Sequence, residues 1–220
     1  MTTPFDFLKL THADDWRSYT EHRFVRELAA GTLPEAVFRH YLKQDYLFLI
    51  QFARAWGLAV YKSRDLSEIR QGLDNLKAIV DVELGLHVGY CASWGIAEAD
   101  LAQLAESKAT LAYTRYVLDA GMSGDLLDLH VALAPCIIGY GEIASWINQQ
   151  AFTRHDGNPY GEWIDMYAGD EYQGLVASET QWLNERLAEV DASRLQRLST
   201  VFRDATRLEA DFWQMGLDLS

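Results

Sequence analysis

Apolar residues recur at spacings of three and four along almost the whole chain, and few runs alternate as strands do. That period limits the fold to packed helices. "DDWRSYTEHRFVRELAAGTLP", from Asp14, reads as one helix with acids in its first turn and a stop at Gly31. Pro34 sits where a first helical turn tolerates proline, opening a long apolar helix to Ser63. Further helices are expected over Leu66–Trp94, Ala97–Ser107, Ala109–Ala120, Gly124–Gln150, Tyr160–Tyr167, Asp170–Val190 and Ala192–Leu217. "FTRHDGNPYGEW" reads as a loop, with Asp-Gly and Asn-Pro as turn signals. Helices this long pack side by side, so the expectation is an all-α bundle in a single domain over residues 1–220.

Net charge is -13. Nucleic-acid binding needs a basic face for phosphates, so no nucleic-acid partner is expected. "MTTPFDFLKL" lacks a basic region followed by a long apolar run, and no window holds some 18 uninterrupted apolar residues. A cytoplasmic protein with no membrane partner is expected. Its two cysteines, Cys91 and Cys136, are then reduced thiols. No G-x-G-x-x-G or G-x-x-x-x-G-K-[ST] motif supports nucleotide chemistry.

Several residues invite chemistry, each with a plainer reading beside it. Cys136 follows Pro135 inside "LHVALAPCIIGYGEIASW". Proline lacks an N–H and its ring clashes one turn back, so the helix is expected to bend and to loosen polar backbone beside the thiol. Tyr140 is one turn on, on the same face. The plainer reading is a buried cysteine used as a small hydrophobe. Asp45 shares a face with Tyr41, Phe48, Leu49 and Phe52, which calls for a buried, partnered carboxylate. Alternatively it points outward beside Lys43 and Gln44. Glu209 precedes Phe212 and Trp213 by three and four residues, or else is solvated and paired with Arg203 or Arg207. Tyr113, Tyr116, Tyr140 and Tyr167 suit a pocket for a flat heterocycle, though aromatic stripes are also ordinary core. Glu83 and His87 in "ELGLH" lack the second copy that a di-iron bundle needs, and His22 is an isolated candidate for haem, so no metal site is expected. Cys91 reads as structural.

"EHRFVRELAAGTLP", "YLKQDYLFL", "ELGLH", "LAPCIIGYGEIASW", "YGEWIDMYAGDEY" and "EADFWQM" occur in one order. Over nearly its full length the chain resembles the TenA family, the thiaminase II or aminopyrimidine aminohydrolase proteins, in its cysteine-containing branch. The resemblance implies a haem-oxygenase-like helical bundle without haem, assembled as a homotetramer. It implies hydrolysis of pyrimidines in thiamin salvage without a metal or organic cofactor. Cys136 then matches the nucleophile, Glu209 the acid/base, and Asp45 the carboxylate at the aminopyrimidine edge. Tyr113, Tyr140 and Tyr167 match tyrosines that stack on or bond to the ring. Phe48 stands where many members have tyrosine, so one hydroxyl contact is missing. Two alternatives stay open on the same fold: an oxygenase with a metal or redox cofactor, and a regulatory or binding protein, as members of this family were once described.

Overall fold

The computed structural model of the chain describes residues 2–220. Its elements are α1 (Pro4–Thr11), α2 (Ala13–Thr20), α3 (Arg23–Ala29), α4 (Glu35–Lys62), α5 (Leu66–Lys77), a π-turn π1 (Ala78–Glu83), α6 (Leu84–Ser93), α7 (Glu98–Leu101), α8 (Lys108–Ser123), α9 (Leu126–Ala134), a second π-turn π2 (Pro135–Gly139), α10 (Tyr140–Ile147), α11 (Gly161–Ala168), α12 (Asp170–Leu187) and α13 (Ala192–Asp218). Among the described residues there is no strand, as the helical period requires. The contacts divide the chain into two compact units, Met1–Pro34 with Val131–Gln214, and Glu35–His130 with Met215–Ser220.

In the unit built on Glu35–His130, α4 is the central helix, and α5, π1, α6, α7 and α8 pack on it. Its sequence is apolar nearly all round because it has neighbours on most sides. Gln44 ties α4 to the start of α8. Its Nε2 donates to the Ala105 carbonyl (3.1 Å), and its Oε1 accepts from the Ser107 N–H (2.8 Å) and the Thr110 hydroxyl (2.8 Å). Ser107 in turn caps α8. This tie explains why the helix expected over Ala97–Ser107 shrinks to Glu98–Leu101: the following residues are drawn out to meet Gln44 and to cap the next helix.

In the other unit, α10 packs against α2, α3, α11 and α12, and α1 packs on α12. The single helix expected from Asp14 is two. It breaks at Glu21–His22, where His22 turns extended (ψ 153°) and its Nδ1 accepts from the Phe24 N–H at 3.2 Å. A capping side chain here outweighs the uninterrupted apolar period. Helix α1 was not anticipated; Thr3 caps it and Pro4 begins it.

The bend expected at Pro135 is a π-turn. Widening the turn accommodates a residue that offers no N–H to the carbonyl one turn back. The close packing of this segment relies on glycine. A Cβ on Gly139 would lie 2.4 Å from the Tyr19 ring, and one on Gly141 would lie 2.6 Å from Val176. The stretch Leu126–Ile147 is long and apolar enough to cross a membrane by composition, but most of it is buried, the pattern of a core helix.

Candidate functional site

The polar candidates divide between the two units. In the first, Cys136 lies within π2 and is 6% exposed. A π-turn shifts the backbone hydrogen-bond register, and its carbonyls here take further donors from side chains. Tyrosines supply them. The Tyr19 hydroxyl donates to the Pro135 carbonyl (3.0 Å), and the Tyr172 hydroxyl donates to those of Cys136 (3.3 Å) and Ile137 (3.1 Å). The carbonyls beside the thiol thus carry tyrosine donors, and that of Ile137 also accepts the Tyr140 N–H.

Around it runs an aromatic wall. Tyr140 contacts Tyr167 (ring centroids 4.9 Å), Trp213 (5.3 Å) and Trp163 (5.8 Å), and Trp163 contacts Tyr167 at 4.5 Å. Tyr172 meets Tyr167 edge-on at 4.8 Å. Gln173 fixes the turn below, donating to the carbonyls of Tyr167 (2.8 Å) and Gly141 (3.1 Å). Glu209, one helical turn before Trp213 on α13, is 1% exposed. That burial overturns the alternative of a solvated glutamate, and Arg203 instead pairs with Asp204 at 2.8 Å.

In the second unit, a cluster centres on Asp45 of α4. It is 2% exposed, so the outward alternative does not hold. Its Oδ2 accepts from the Tyr41 hydroxyl (2.8 Å) and lies 2.6 Å from His87 Nε2. The other ring nitrogen, Nδ1, bonds the Glu83 carbonyl at 2.8 Å, at the end of π1. Burial pulls the His87 imidazole down. The Asp45 carboxylate, with Glu83 behind it, outweighs burial and holds its pKa above the ordinary value. Phe48, one turn on from Asp45, packs on Tyr113 at 5.0 Å and on Phe52 at 5.3 Å.

The remaining candidates serve structure. Cys91 is fully buried, and burial pushes its thiol up despite Lys43 nearby. Both ring nitrogens of His87 are engaged by protein, and His22 Nδ1 is a helix cap. Among the described residues no group of three or more His, Cys, Asp or Glu could hold a metal. A cavity of about 650 Å³ opens beside Asp6, Lys9, Trp16 and Glu142, but none of the candidate site residues lines it. Its charges also satisfy one another, with Lys9 2.6 Å from Glu142 and 3.3 Å from Asp6. Sequence reasoning missed Tyr19, Trp163 and Tyr172, and it weighed His87 only as a metal ligand. The four-residue step from Tyr41 to Asp45 was the one local signal available, because the other partners are distant in sequence.

Comparison with known proteins settles the lineage. The family described as TENA/THI-4/PQQC matches residues 11–219. The chain belongs to that family. A TENA/THI-4/PQQC relative from Haemophilus influenzae, named only as an uncharacterized protein, is 43% identical over 93% of this chain and 94% of its own length. An aminopyrimidine aminohydrolase of Halalkalibacterium halodurans is 35% identical over 91% of this chain and 89% of its own. A structure from Silicibacter sp. TM1040, described as a TenA family transcription regulator, superposes with a TM-score of 0.89. It is 44% identical and covers 97% of this chain and 96% of its own. A Shewanella denitrificans domain with a heme oxygenase-like fold matches at a TM-score of 0.72 and 15% identity. It covers 98% of this chain and 92% of its own, and it speaks to fold alone. The fold of this TENA/THI-4/PQQC member is thus the haem-oxygenase-like helical one.

Proposed function

We propose that this chain is a hydrolase of thiamin salvage. It replaces the exocyclic methylene substituent of a 4-amino-2-methylpyrimidine, an amine or the thiazolium of thiamin, with hydroxyl. The observation that carries the reading is the full-length similarity to an aminopyrimidine aminohydrolase, with Cys136 and Glu209 both buried in the unit that holds the aromatic wall. Direct displacement by water at this carbon is slow. Addition of the Cys136 thiolate to the electron-poor ring, with Glu209 protonating a ring nitrogen, lets the leaving group depart with its bonding pair. Water then adds to the exocyclic carbon, its proton returns through Glu209, and the thiolate is expelled. Asp45 takes the aminopyrimidine edge. Tyr113, Tyr140 and Tyr167 stack on the ring or orient it, and Phe48 offers shape without a hydroxyl. The chemistry calls for no metal or organic cofactor.

Incubation with 4-amino-5-aminomethyl-2-methylpyrimidine and with thiamin tests this. Formation of the hydroxymethyl pyrimidine by the wild type but not by Cys136→Ala is expected. No product from either substrate would sink the reading. We further propose a cytoplasmic homotetramer, for which light scattering of the purified chain at a tetramer mass is the check.

A regulatory role is the second reading, favoured by the description of the Silicibacter relative as a transcription regulator. A net charge of -13 opposes direct DNA contact. Specific DNA binding at low salt by this chain would revive it.

A further inference from the structure

The Asp45 cluster carries an asymmetry. Oδ2 is engaged twice, by Tyr41 and His87, whereas among the described residues nothing donates a hydrogen bond to Oδ1. The side chain keeps 3% exposure and Oδ1 is not among the fully buried unpartnered polar atoms, so this oxygen stays accessible to a ligand.

Counting protons fixes the state of the pair. The Glu83 carbonyl can only accept, so His87 Nδ1 carries a hydrogen. One more proton then lies between Nε2 and Oδ2. On Oδ2 it would make a carboxylic acid whose hydroxyl oxygen must also accept from Tyr41, a poor acceptor for a 2.8 Å bond. On Nε2 it makes an imidazolium facing a carboxylate oxygen that accepts two donors, which its lone pairs allow. Both side chains are all but inaccessible, 0% and 3% exposed, so water does not compete for either. The raised pKa of His87 agrees with this placement.

We propose, resting on the hydrolase reading above, that His87 is the positioning residue for Asp45. As an imidazolium clamped between the Glu83 carbonyl and Oδ2, it keeps the carboxylate anionic and turned so that Oδ1 is left to accept from the exocyclic amino N–H of an aminopyrimidine. The ligand's amino group supplies the donor that Oδ1 lacks. Tyr41 sets the rotamer of the carboxylate from within α4, and His87 sets its charge from α6. His87 touches no reacting atom, so its effect falls on binding and not on the chemical step.

Nitrogen-15 NMR of imidazole-labelled protein and calorimetric titration with 4-amino-5-hydroxymethyl-2-methylpyrimidine test this on the full chain. In the wild type at pH 7.5, both nitrogens of His87 are expected to be protonated. His87→Gln keeps a donor within reach of Oδ2 but no charge, and should weaken binding about 10-fold. His87→Phe keeps volume without a donor, and should weaken it about 100-fold, in line with loss of a charge-assisted hydrogen bond. In His87→Gln, KM should rise by the same factor as Kd with kcat within about 2-fold of wild type. A neutral His87 in the labelled wild type overturns the proposal even if no variant folds, and so does equal weakening by Gln and Phe. Pyrimidine binding with no turnover overturns the hydrolase reading and leaves the clamp standing. No pyrimidine binding by the wild type overturns both.

Discussion

Two long helices each pass through a π-turn, and side chains meet carbonyls of the two turns in different ways. In π1 only Ile79 is buried, and the Glu83 carbonyl at its end takes an imidazole N–H. In π2 all five residues are buried, and the carbonyls of Pro135, Cys136 and Ile137 take tyrosine hydroxyls. The same backbone device thus costs little where water can serve it, and needs dedicated side chains where it cannot. A glycine and a cysteine lie within π2, and another pair lies on the helix that follows π1, but the surroundings are opposite in kind. Gly139 is pressed on Tyr19, whereas a Cβ on Gly85 would meet nothing within 4 Å.

Substitutions made in matched pairs sharpen or break this contrast. The largest expected effect is on turnover. Cys136→Ala should lower kcat by at least about 1,000-fold, whereas Cys91→Ala, seven residues beyond Leu84 on α6, should leave steady-state kinetics unchanged. Comparable loss in both would mean that the second turn has no special chemical role. Next comes packing. Gly139→Ala should destabilise by about 1–3 kcal/mol in denaturant melts, because the Tyr19 ring cannot retreat without leaving the Pro135 carbonyl. Tyr172→Phe follows at about 1 kcal/mol, from the loss of the hydroxyl that serves two buried carbonyls. Gly85→Ala should act in the other direction, raising stability by up to about 1 kcal/mol through helix propensity; destabilisation there would show that π1 is as tightly constrained as π2.

The smallest effect is a pH dependence at π1. The folded-state pKa of His87 is raised, so its contribution to stability is fully present below the ordinary histidine value of about 6.5. It declines as pH rises above that value and is gone once pH has passed the folded-state pKa. Urea midpoints should therefore fall more steeply with rising pH in the wild type than in His87→Gln. Parallel slopes would argue against the paired imidazolium.

The helical period alone made α4, α8, α12 and α13 legible to within a few residues, because long amphipathic runs with clear caps leave little choice. The break at His22 was not legible, since it depends on a ring nitrogen capping its own chain, and the short α7 was not because Gln44 decides it from a distance. Apolar neighbours on one helical face offered burial of Asp45 and Glu209 as one reading, and only the fold decides it against the outward and solvated alternatives. What buries with them was not legible: His87 reaches Asp45 from another helix, and Tyr19 and Tyr172 reach π2 from others again. Period describes one element at a time, and a polar cluster is a property of several. Proline at 135 signalled an irregular helix, while the choice of a π-turn over a kink rests on tyrosines that could only be found in the fold.

The stitching of the unit built on α10 also has a consequence for synthesis. The Arg154 N–H bonds the Ala29 carbonyl, Asn158 bonds those of Leu28 and Ala29, and the Tyr160 hydroxyl donates to Leu33. Helices α1 to α3 leave the ribosome well before these partners exist, while Glu35–His130, with α4 to α8, emerges as one contiguous block and lacks only Met215–Ser220 of the other unit. The order of folding during translation is then inverted with respect to the order of the chain. The middle segment can mature first, and the amino-terminal helices wait, apolar faces uncovered, for the carboxy-terminal half to arrive. That interval is where a chaperone has most to offer this protein, and where a truncated message would be most prone to aggregate.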